Sequence, residues 1–244
     1  MALAGTCGAQ AQSADDFAAL RRQVSQLHGQ GKYSEAVPLA EQCVALARQL
    51  YGEEHAEFAS AIGWLAFVYQ DEGRYAEAEQ LFRRNLTIKE KLLGPDHADV
   101  GIALNNLADL YRVQGRYDEA EPLNKRALAA FERALGPDHR MVGISLNNLA
   151  VLFESQGRYV EAEVLIRRAL AITQKALGPE HVEVGTRLNN LAALYAAQGR
   201  YAEAEPLMKR SLALLEKAQG RQHPEVAARL NSPSGATCQT RSFY

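Results

Sequence analysis

The chain has 244 residues, 47% hydrophobic and 23% charged, with a formal net charge of −2. That balance suits a folded protein with a polar surface; it gives no electrostatic reason to expect nucleic acid or an anionic membrane surface, and no stretch approaches the roughly 20 apolar residues of a membrane span. Cys7, Cys43 and Cys238 are too few and too scattered for a disulfide framework or a zinc site, whose ligands come in close pairs.

Residues 1–13 are rich in small residues. They read as a disordered leader of a cytoplasmic protein. The alternative is the end of a signal peptide with an upstream start, which would make the protein exported or periplasmic. Ala9-Gln10-Ala11 fits a cleavage site, but the basic and apolar regions of a signal are missing.

From residue 14 the chain keeps a stride of 42 residues. Gly31-Lys-Tyr33 returns as Gly73-Arg-Tyr75, Gly115-Arg-Tyr117, Gly157-Arg-Tyr159 and Gly199-Arg-Tyr201. His55, His97, His139, His181 and His223 each follow a glycine by three residues, and Leu104-Asn-Asn-Leu-Ala108 recurs from Leu146 and Leu188. Three markers in step signify stacked supersecondary units. Within a unit, Leu104, Leu107, Ala108 and Tyr111 occupy one helical face. Gly115 ends that helix, and Asp118 is placed to cap the next. Ala120, Leu123, Ala127 and Leu128 form a second apolar face, which Gly136-Pro137 terminates; Asp138 is placed to cap the helix beyond.

Helix pairs are therefore expected at 14–30 and 33–50, 56–72 and 75–92, 98–114 and 117–134, 140–156 and 159–176, and 182–198 and 201–218. Alanines at 66, 108, 150 and 192, and at 36, 78, 120, 162 and 204, let the helices cross closely. The solenoid is expected over 14–231, as five helix pairs and a truncated sixth. After Asn231 the pattern breaks into an irregular tail, 232–244, as a frameshift, premature stop or gene-model error would produce. A cut repeat exposes an apolar end, so end-to-end self-association is one expectation.

Leu-Asn-Asn-Leu-Ala-x-Leu-Tyr, then Gly-Arg-Tyr-x-Glu-Ala-Glu, then Gly-Pro-Asp/Glu-His resembles the tetratricopeptide repeats of kinesin light chains. The resemblance implies an all-α, right-handed superhelical solenoid of antiparallel helix pairs. The first helix of each pair would line a concave groove holding an extended peptide or a partner helix. Its implied role is a scaffold for an unidentified protein or peptide. The alternatives are the regulatory or sensor part of a longer effector and a structural assembly module.

Helical geometry places Asn105, Asn106, Asp109 and Arg112 on the expected groove face, then Asn147, Asn148 and Glu154, then Asn189 and Asn190. An amide both donates and accepts, so it can grip a peptide backbone of any sequence; the same amides could instead tie neighbouring helices together. Trp64 and Phe67 occupy the equivalent face of an earlier unit. They read as an aromatic anchor or, preferably, as packing against the divergent first pair. The recurrent histidines sit one repeat apart, too far to share a metal ion. Basic pairs such as Arg83-Arg84 follow a glutamate by four residues and read as a salt-bridged outer face. No phosphate loop, His-Glu-x-x-His or Gly-x-Ser-x-Gly occurs. No catalytic residue, metal or cofactor is expected, and the chain is not read as an enzyme.

Overall fold

The computed structural model describes the backbone of residues 3–219 and the side chains of residues 14–218. The described residues form ten α-helices. The first pair is α1 (Leu3–Gly29) and α2 (Tyr33–Tyr51), the second α3 (Ala56–Asp71) and α4 (Tyr75–Leu93), and the third α5 (Ala98–Val113) and α6 (Tyr117–Leu135). The fourth is α7 (Arg140–Ser155) and α8 (Tyr159–Leu177), and the fifth α9 (Val182–Ala197) and α10 (Tyr201–Gln219). The helices fall where the 42-residue stride puts them, except that α1 starts at Leu3 rather than near 14. The broken sixth repeat and the tail lie outside the described residues.

The chain divides into two compact units, one running to Ala130 and the other starting at Phe131. In each, a helix packs on the next in sequence: α1 to α5 in the first unit, α7 to α10 in the second. The recurrent alanines make this possible. Ala66, Ala108, Ala150 and Ala192 in the first helices are fully buried, as are Ala36, Ala78, Ala120 and Ala162 in the second. Phe58, Ile62, Phe82, Leu104 and Leu110 fill the space around them in the first unit, and Leu146, Leu152, Ile166 and Leu188 do so in the second.

Two kinds of turn close each repeat. At Gly115 (φ 73°) the backbone is left-handed. The amide of Gly115 bonds the Arg112 carbonyl, and that of Arg116 bonds the Tyr111 carbonyl at 2.8 Å, which is a Schellman closure. The second turn holds the repeating histidine. His55, His97, His139 and His181 are the N-caps of α3, α5, α7 and α9. Each Nδ1 accepts from the backbone amide two residues on, at 3.1–3.2 Å. Sequence reasoning gave this job to Asp138. That residue lies one position too early and pairs with Lys175 instead. Asp118 is also not a cap: α6 begins at Tyr117, so Asp118 sits in its first turn.

A repeated polar node joins successive pairs. In the first unit Glu79 of α4 accepts from Tyr111 of α5 at 2.9 Å and from Arg116 at 2.6 Å. Arg116 lies over the Tyr111 ring at 4.1 Å and also bonds Glu119. In the second unit Glu163, Tyr195, Arg200 and Glu203 repeat every one of these contacts. This node accounts for the arginine that recurs between glycine and tyrosine.

Candidate functional site

Helices α3, α5, α7 and α9 are buried on most of their circumference, and each keeps a more open stripe at spacings of three and four residues. On α3 it runs through Ser60, Trp64, Phe67 and Asp71; on α5 through Ile102, Asn106 and Asp109 to Val113. In the second unit it runs through Met141, Ile144, Asn148, Val151 and Ser155 on α7, and through Thr186, Asn190, Ala193 and Ala197 on α9. The second asparagine of each pair is thus central to the stripe.

The first asparagine is displaced toward the neighbouring helix. Asn105 is only 7% exposed and lies inside, off the stripe. Asn147 and Asn189 are half-exposed at its margin, as are Arg112 and Glu154. The Asn190 amide donates to Asn147 Oδ1 at 2.7 Å, a bond from α9 back to α7. One asparagine of the pair therefore holds helices together, as the second sequence reading has it, while Asn148 stays half-exposed. Burial alone raises the Glu154 carboxyl above the ordinary value.

In the first unit the corresponding surface is aromatic and charged. Trp64 meets His28 of α1 edge-on at 6.1 Å and Phe67 at 6.3 Å; Phe67 in turn meets Phe82 at 5.1 Å. His28 Nε2 is 2.7 Å from Asp71 Oδ2. Gly63 stands where later units have the first asparagine, because a Cβ there would come within 3.0 Å of the Asn85 amide. That Asn85 side chain bonds the Ala59 carbonyl. Further along, Gln70 donates to Asp109 at 3.2 Å, and Arg112 binds the same carboxylate at 2.7 Å.

The outer-face ion pairs form as the spacing suggests. Glu79–Arg83, Glu121–Lys125, Glu163–Arg167 and Glu205–Lys209 close at 2.5–2.9 Å. No group of three or more metal-ligating side chains converges among the described residues, and no described helix is long and apolar enough to cross a membrane. Sequence reasoning missed Ile102, Ile144 and Met141 on the stripe. Stepping by three and four from the second asparagine, instead of from the core leucines, reaches them.

Tetratricopeptide repeat profiles match residues 57–132, 99–175, 145–217 and 183–232, and a second profile of the same description matches residues 27–57. The chain belongs to the tetratricopeptide repeat family. Among solved structures it is similar to the nearly identical repeats of a putative kinesin light chain from Podosopora anserina. That match has 28% identity, covers 84% of this chain and 97% of the other, and has a TM-score of 0.69. It is also similar in fold to BtubC from P. vanneervenii, at 23% identity over 88% and 92% of the two chains, with a TM-score of 0.70. Aspartyl phosphate phosphatase F from Bacillus subtilis shares the fold at 15% identity over 86% of this chain and 53% of that one, with a TM-score of 0.71. No curated protein matches the sequence. Repeats of this family generally mediate protein–protein interaction, and as scaffolds they are generally not enzymes.

Proposed function

We propose that the chain is a scaffold that binds an extended peptide segment of a partner protein along the half-exposed stripes of its first helices. One observation supports this reading above the others: the same register stays open in α3, α5, α7 and α9 while the leucine and alanine faces of each helix are buried. A half-exposed amide flanked by apolar side chains suits a peptide. In the second unit Asn148 offers a donor and an acceptor to its backbone, and Ile144 and Val151 offer contact to its side chains; in the first, Asn106 and Ile102 offer the same by themselves. Trp64 and Phe67 form an aromatic end to the stripe in the first unit; their packing on His28 and Phe82 makes them a rigid wall as well as a contact surface.

The test is selection of extended peptides displayed against the full chain, followed by binding to Asn106→Ala and to Asn148→Ala separately. Loss of the amide contact in the unit that a peptide occupies should weaken that peptide by about tenfold, with the melting temperature held. Unchanged affinity at unchanged stability would remove the stripe from the function.

A further inference from the structure

One register of the first helices is closed in three described repeats. Ala61, Ala103 and Ser145 hold it, each 1% exposed or less. In α9 the same register holds Arg187, which is 9% exposed, and its Nε is buried without a hydrogen-bond partner among the described residues. Among the described residues, the charged groups that act on it are Glu183, one turn earlier on α9, and Arg140 of α7. Glu183 is already engaged. Arg140 Nε lies 3.2 and 3.0 Å from its two oxygens, and the Arg140 terminal nitrogen adds a bond at 2.8 Å. Arg187 thus adds a second guanidinium beside a carboxylate whose two oxygens Arg140 already binds.

A guanidinium stays charged in proteins and has five donors in a planar fork. An Nε–H buried without an acceptor on such a charged group is costly to keep. Burial pushes Arg187 below its ordinary value; Glu183 opposes this and Arg140 adds to it. The group that relieves all three conditions is an oxyanion. It supplies acceptors for the fork and balances the second positive charge. Thr186 and Asn190, half-exposed on the same helix, bring a hydroxyl and an amide to the adjoining surface.

We propose that Arg187, beside the Arg140–Glu183 pair in the second unit, is a receptor for a single oxyanion, a carboxylate or a phosphate group. This goes beyond the peptide reading and does not depend on it, because free anions are enough to test it. The full chain is followed by the Nε–H resonances of its arginines, with sodium chloride replaced by sodium acetate or sodium phosphate at constant ionic strength. The Arg187 resonance is the one lost in Arg187→Ala, a variant that restores the alanine of α3 and α5.

The expected result is a saturable shift of that resonance, half complete below about 10 mM, with a rise in melting temperature that Arg187→Ala abolishes. A response to acetate alone assigns a carboxylate, to phosphate alone a phosphate, and to both the shared chemistry. A drift common to all arginines that never saturates would overturn the proposal, as would equal stabilisation of wild type and variant. If Arg187→Ala fails to fold, Arg187→Met serves for assignment and the wild-type titration decides.

Discussion

The two units use one repeat and one set of turns, yet they furnish the open stripe differently. In the first, Trp64, Phe67 and the hydrogen-bonded His28–Asp71 pair make it aromatic and polar. In the second, Asn147, Asn148 and Asn190 lie among Ile144, Val151 and Ala193, making it amidic and aliphatic. The polar node behind the stripe is the same in both, built on Glu79 in one and Glu163 in the other. The skeleton is thus repeated while the open face varies, which fits the peptide-binding role proposed for that face.

The largest expected effect bears on the aromatic end. Trp64→Ala should cost about 2 kcal/mol in denaturant unfolding, since its ring packs on His28 and Phe67. A loss within error would mean that the ring serves binding alone, and the contrast between the units would become one of recognition only.

Next come the nodes. Glu79→Gln and Glu163→Gln should each cost roughly 1–2 kcal/mol, and by similar amounts, because each carboxylate receives the same three donors. Unequal losses would show that the nodes are not equivalent. Their pH dependence has a fixed sign. Burial works against charge on Glu163, but bonds from Arg200, Arg167 and Tyr195 outweigh it and hold the carboxyl down at about 2, against an ordinary 4.5. A carboxyl depressed in the fold stabilises fully above its ordinary value, and that contribution is lost as pH falls from there toward 2. Acid titration of unfolding free energy should show this loss, and Glu163→Gln should flatten it.

His139→Ala should cost about 1 kcal/mol, the ordinary worth of an N-cap. Asn190→Ala, which removes one half-exposed bond to Asn147, should cost about 0.5 kcal/mol. If Asn190→Ala proves the costlier of the two, the asparagine pair in the second unit is chiefly a brace.

The stride of glycines and histidines placed nine of the ten helices to within a few residues, because each of these markers is tied to a turn that cannot move without breaking a cap. The open stripe was harder to read. An apolar face at i, i+3, i+4, i+7 identifies the core of an isolated pair, but the first helices here are covered on several sides. Asn105, counted outward from the leucines, is buried, while Ile102 and Ile144, which that counting leaves out, are half-exposed. The histidine caps were invisible for another reason: aspartate is the commoner cap, and only the backbone geometry shows that the imidazole stands in the capping position. Arg187 carried no signal except that three other repeats place alanine or serine there.

Both turns of a repeat are sealed by bonds within a few residues of one another, and the Glu–Tyr–Arg node reaches only as far as the next pair. The protein is therefore modular in the manner of a chain of links. Splicing a whole 42-residue block into the loop before His139 or His181 would bring its own closures with it, so the array could lengthen or shorten over generations by unequal crossing-over without any compensating change elsewhere.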